Sequence, residues 1–173
     1  LLTKKLAQVK HDLEVEEYNS QAAFEKFVSE MLINNHPDYP LEDLPNNSIQ
    51  HMLDRQYQVL ILEEDTYLTP LKKYVKMPSR SSDIEEIIKM CFGSSGLQAL
   101  PVKLEGRRYL VMVGNDSSLS FSGSEKSFSD YAKKLQKILL EQTHKSYSIL
   151  LMRNQCKPEE LKIHYPKLSD AVA

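Results

Sequence analysis

The run from Leu97 to Asp116 constrains this chain more than any other stretch. It reads as two strand-length segments on either side of the polar turn Glu105-Gly106-Arg107-Arg108, which is the sequence form of a β-hairpin. In the second segment Tyr109, Leu110, Val111, Met112 and Val113 are all apolar, where a half-exposed strand would alternate. Such a strand has to be covered on both faces, so it belongs inside a sheet with a layer on each side. The turn therefore rides on a buried scaffold, and loops carried that way are where binding and chemistry concentrate.

The segments around the hairpin supply the rest of the layers. Tyr57 to Leu62 is rich in strand formers and runs into Glu63-Glu64-Asp65, a triplet open to two readings: solvated turn residues, or a metal site at a strand end. Thr69-Pro70 opens a short helix through Leu71, Tyr74 and Val75. Ser82-Asp83-Ile84-Glu85 has the form of a capping box, followed by the apolar face Ile84, Ile87, Ile88, Cys91 and Phe92 and closed by Gly93. Residues 117–129 are serine-rich and read as a connection, with Ser127 capping a helix whose face is Tyr131, Ala132, Leu135, Ile138 and Leu139. Tyr147 to Met152 predicts a last strand, and Pro158 opens a final helical segment that Pro166 should interrupt. The predicted order is strand, helix, helix, hairpin, helix, strand, helix. It describes a layered α+β domain with helices packed on a sheet.

Ahead of the sheet, Leu2, Leu6, Val9 and Leu13 recur at steps of four, three and four, the pattern of a coiled-coil seam about two heptads long. Phe24, Phe27, Val28, Met31 and Leu32 form a second helical face that ends at Asn34-Asn35. Two readings stay open: a dimer-forming helix that continues from an upstream domain, or an amphipathic helix packed on its own domain. Pro37, Pro40 and Pro45 mark residues 36–47 as loop, with a short helical piece through Ile49, Met52 and Leu53. The expected organisation is an N-terminal signalling helix over 1–35, a linker over 36–56 and the sheet domain over 57–173.

Composition excludes several classes. A formal net charge of -2 provides no basic field for nucleic acid, and no segment approaches the length of apolar chain that crosses a membrane. Two cysteines, Cys91 and Cys156, are too few for a disulfide framework or a zinc cluster, and Cys91 reads as a small buried hydrophobe. His11, His36, His51, His144 and His164 show no ligand spacing, so no metal site and no cofactor are assigned. A reduced, cytoplasmic setting fits this usage. Because it begins at Leu1, the chain is expected to be part of a longer protein.

The hairpin also carries a resemblance. Lys103 to Val113 resembles the hairpin of GGDEF domains, with Glu105, Gly106, Arg107, Arg108 and Tyr109 in the five signature positions. Only the second glycine is kept, the aromatic is conservatively replaced, and both acidic positions are arginines. Leu62 to Tyr67 resembles the end of that family's first strand, where its acidic metal ligands sit, and Glu63 and Asp65 match those two positions in type. Tyr147 to Met152, then Pro158-Glu159-Glu160-Leu161 with Tyr165 and Ala171, resembles the family's closing strand and last helix. The resemblance covers about Tyr57 to Val172 and implies a mixed sheet related to nucleotide cyclases. It is nearest to the GGDEF-like detector domain of AraC-type transcription regulators of Gram-positive bacteria, many of them response regulators of two-component systems.

Diguanylate cyclases join two GTP molecules with divalent metal held by carboxylates. Guanidiniums at Arg107 and Arg108 reverse the charge at those positions, so the expectation is a protein without cyclase activity. The function expected is signal relay and dimerisation, coupling an upstream receiver or sensor domain to a downstream helix-turn-helix DNA-binding domain. The dimer seam would be Leu2, Leu6, Val9 and Leu13, and the fragment itself would not bind DNA. The alternative is a small-ligand or nucleotide sensor in which Arg107 and Arg108, with Glu63 and Asp65 nearby, bind an anionic metabolite at the hairpin tip.

Overall fold

The structure, a computed structural model, describes residues 1–33, 47–65, 81–115 and 125–172. Among the described residues ten elements follow one another: α1 (Leu2–Ile33), α2 (Asn47–Asp54), β1 (Gln58–Glu64), α3 (Ser81–Gly93), β2 (Leu97–Lys103), β3 (Arg108–Asn115), α4 (Glu125–Thr143), β4 (Tyr147–Leu151), a 3-10 turn (Pro158–Glu160) and α5 (Leu161–Val172). The helix expected through Leu71, Tyr74 and Val75 lies outside the described residues.

The strands form one sheet in the order β2-β3-β1-β4. The apolar run Tyr109–Val113 sits in β3, an interior strand, and all five residues are buried. Every neighbouring pair is antiparallel, which corrects the expected mixed sheet. The reason is topological. From β1 through α3 to β2 the chain makes a crossover between strands that run the same way, but β3 turns back and inserts between them, so no parallel strands touch. This β-α-β-β-α-β order with a split crossover is the ferredoxin-like arrangement.

Strand alternation sends side chains to two cores. Leu60, Leu62, Tyr109, Val111 and Val113 face α3 and α4, meeting Ile88, Phe92, Leu135 and Leu139. On the other face Val59, Ile61, Leu110 and Met112 meet Phe24, Phe27, Val28 and Met31 of α1, Met52 and Leu53 of α2, and Leu161 of α5. Residues on both sides of the expected boundary at Tyr57 thus share a core. Tyr57 itself is fully buried: its hydroxyl donates to the Met52 carbonyl at 2.8 Å, and its ring lies against the backbone of Gly114, where an added Cβ would come within 3.2 Å of it.

Three local expectations need correcting. α4 starts at Glu125, ahead of the Ser127 cap, a shift within the usual ambiguity of helix ends. β1 continues through Glu63 and Glu64 instead of ending before them, because both carboxylates find cationic partners beside the strand end, Arg108 in β3 for Glu63 and Arg107 in the adjoining turn for Glu64. Pro166 lies inside α5 without interrupting it. One backbone hydrogen bond is forfeited there, while Leu161, Tyr165 and Leu168 hold the helix against the core on either side.

Candidate functional site at the hairpin tip

The β2–β3 turn, the end of β1 and the start of β4 come together at one end of the sheet, because Glu63 of β1 pairs with Arg108 of β3 and with Ser148 of β4. A three-residue loop, Glu105-Gly106-Arg107, closes the hairpin: the Leu104 amide donates to the Arg108 carbonyl at 2.9 Å. Gly106 takes φ +73°, a left-handed conformation that glycine adopts without penalty, which accounts for a glycine at this turn position.

Alternation along β1 puts Glu63 and Glu64 on opposite faces. Glu63 shares the α1/α5 face with Arg108, whose Nη2 and Nε donate to the same Glu63 oxygen at 2.8 and 3.2 Å. The remaining nitrogen, Nη1, donates to the Ser169 hydroxyl of α5 at 2.5 Å, and the Tyr165 side chain completes the set. Burial works against the Arg108 charge. Hydrogen bonding to Tyr165 and Glu63 outweighs it, so the pKa lies above its ordinary value and the guanidinium is permanently charged.

On the opposite face Glu64 is 7 % exposed and is met by two cations, Arg107 at 3.2 Å and Lys145 at 3.3 Å. Asp65, next in line, accepts from the Ser148 hydroxyl at 2.6 Å. Of the four residues expected to bind a ligand, Arg107 and Arg108 are therefore each held by a carboxylate of β1, Glu63 is a partner of Arg108, and Asp65 is tied to β4. The three acids Glu63, Glu64 and Asp65 are balanced by Arg107, Arg108 and Lys145.

A charge-balanced cluster of this kind fixes three strands and a helix to one another. Among the described residues no group of three or more His, Cys, Asp and Glu is arranged to hold a metal. Sequence reasoning weighed Glu64, the most buried acid of the triplet, only as one of three acids at a strand end, and it missed Lys145, Ser148, Tyr165 and Ser169. The alternation rule could have separated Glu63 from Glu64 by face, but the α5 partners lie about sixty residues away and leave no local signal.

The expected seam residues are placed differently from the rest of α1. Leu2, Leu6, Val9 and Leu13 are 79, 66, 55 and 59 % exposed, while Phe24, Phe27, Val28 and Met31 are buried in the sheet domain. The first half of the helix overhangs the domain, and the second half is part of it. No protein-family model, curated protein or solved structure matches this chain. Among the described residues no helix is long and apolar enough to cross a membrane.

Proposed function

We propose that this chain is a non-catalytic, GGDEF-like relay and dimerisation module of a bacterial transcription regulator, linking a receiver or sensor domain to a helix-turn-helix domain. The observation that carries this reading is the pairing of the hairpin arginines with the strand carboxylates. Metal-dependent nucleotidyl transfer needs carboxylates free to ligate a cation at this end of the sheet. Here Glu63 and Glu64 are already neutralised by Arg108, Arg107 and Lys145, so a divalent ion would have to displace three cations of the protein itself. The split β-α-β-β-α-β order, with an acidic strand end beside the hairpin tip, supports the kinship with cyclase sheets.

The relay part rests on α1 and α5. α1 joins an exposed apolar stripe to a half docked in the core, and α5 packs on the same face of the sheet and contacts α1. A change at the overhanging half of α1 therefore reaches α5 through one shared core. The sensor reading is the weaker one, because an anion at the tip would have to compete with Glu63 and Glu64 for guanidiniums they already hold.

Thermal-shift titration with GTP, cyclic di-GMP and magnesium, coupled to chromatography of the reaction mixture, tests the proposal. The expected result is no shift and no cyclic di-GMP above a no-protein control. Product formation would overturn the non-catalytic reading, and a saturable shift with a nucleotide alone would favour the sensor.

A further inference from the structure

We infer that the chain self-associates through the overhanging half of α1 in an antiparallel pair, each helix running against its partner from Leu2 opposite the partner's Leu13 to Leu13 opposite the partner's Leu2. This rests on the dimerisation reading above and adds an orientation to it.

Two independent observations fix the orientation. The first is which side of α1 is apolar. Leu6, Val9 and Leu13 stand 18 positions before Phe24, Phe27 and Met31, and Leu2 stands 18 before the buried Ser20. Eighteen residues make about five helical turns, so the exposed stripe and the docked stripe lie on one side of one helix. The sheet domain thus occupies the very side on which the seam would have to form, just beyond its end. In a parallel pair, helix axes about 10 Å apart would have both sheet domains between them, where a sheet and a second helical layer do not fit. In an antiparallel pair that overlaps only through the first halves, each domain lies past the other helix's N-terminus, and both are accommodated.

The second observation is charge. With Leu6 and Leu13 at a positions and Leu2 and Val9 at d positions, the flanking g positions are Lys5 and Asp12, and the flanking e positions are Thr3 and Lys10. Parallel pairing sets g against the partner's following e, which gives Lys5 with Lys10, repulsive and repeated by symmetry. Antiparallel pairing sets g against g, which gives Lys5 with the partner's Asp12, attractive and likewise repeated. The e positions then pair Thr3 with the partner's Lys10, which is neutral. All four apolar residues meet apolar partners in this register.

Disulfide trapping on the whole chain distinguishes the arrangements. Leu2→Cys and Leu13→Cys are prepared separately, on exposed helix positions that leave the core untouched; the native Cys91 and Cys156 are buried. In the antiparallel pair identical positions near the helix ends stand about 16 Å apart, beyond disulfide reach. Neither variant should cross-link alone, and their mixture should give the mixed dimer. Cross-linking of either variant with itself would establish a parallel pair and overturn the inference. So would the absence of all cross-links in a chain that light scattering finds dimeric. A monomer at high concentration would remove the dimerisation reading itself, a separate failure. As a second readout, Lys5→Asp should weaken association by about fivefold and Lys5→Asp/Asp12→Lys should restore it. In a parallel pair Lys5→Asp would instead tighten it by facing the partner's Lys10.

Discussion

Replacing Arg108 by Met tests whether the hairpin-tip cluster is structural. The side chain is 14 % exposed and its partner Glu63 is 33 % exposed, so the pair sits between two regimes. Exposed ion pairs contribute about 0–1 kcal/mol, and breaking a fully buried one costs about 3–5 kcal/mol. Arg108→Met removes two bonds to Glu63 and those to Ser169 and Tyr165 while keeping most of the apolar stem, which places the expected loss at about 2 kcal/mol. For a chain of this size that is a melting-point drop of about 4–8 °C. The assay is urea and thermal unfolding of Arg108→Met, Glu63→Gln and the double variant. Glu63→Gln should cost less than Arg108→Met, because Ser169 and Tyr165 still hold the guanidinium. The double variant should be more stable than the sum of the single losses by about 1 kcal/mol. Single variants as stable as the parent, with no coupling between them, would refute the claim that these arginines are consumed by the fold.

Other expected outcomes follow from burial. Phe24→Ala should cost about 3–5 kcal/mol and Leu6→Ala almost nothing in a dilute, dissociated sample, although the two residues share one side of α1; equal effects in denaturant titrations would contradict the division of that helix. Burial raises the pKa of Glu25 above 4.5, with Lys89 opposing, so the folded state takes up its proton more readily than the unfolded state does. Stability from this group is then lost as pH rises from about 4.5 toward the folded value, and Glu25→Gln should melt above the parent at pH 7 with a gain that fades on acidification. Burial also pushes the Cys156 thiol up to about 11, so a thiol reagent at pH 8 should label it only after unfolding.

How much of this was readable from the residues alone differs by element. The hairpin was legible because Tyr109–Val113 breaks alternation, and only an interior strand covered on both faces tolerates that. The antiparallel order was not, since strand neighbours are set by where β3 inserts, a tertiary choice with no local mark. Gly106 was legible as a turn glycine. The roles of Arg107 and Arg108 were not, because charge alone does not say whether a guanidinium faces solvent, ligand or carboxylate. The facing positions Glu63 and Arg108 are set by strand register, and Ser169 and Tyr165 by how α5 docks. In α1 the seven-residue spacing was visible, but that the stripe is docked in one half and exposed in the other depends on where the sheet ends.

Light scattering on the parent and on the Leu6→Glu/Leu13→Glu variant, each with a melting curve, tests the proposed module most directly. These two positions are 66 and 59 % exposed, so new charges there touch no core of their own chain, yet a seam between two chains would bury them. The parent should show a mass near twice 19.9 kDa, and the variant should be a monomer that melts where the dilute, dissociated parent melts. A parent that stays monomeric at high concentration, or a variant that remains dimeric, would contradict association through this helix.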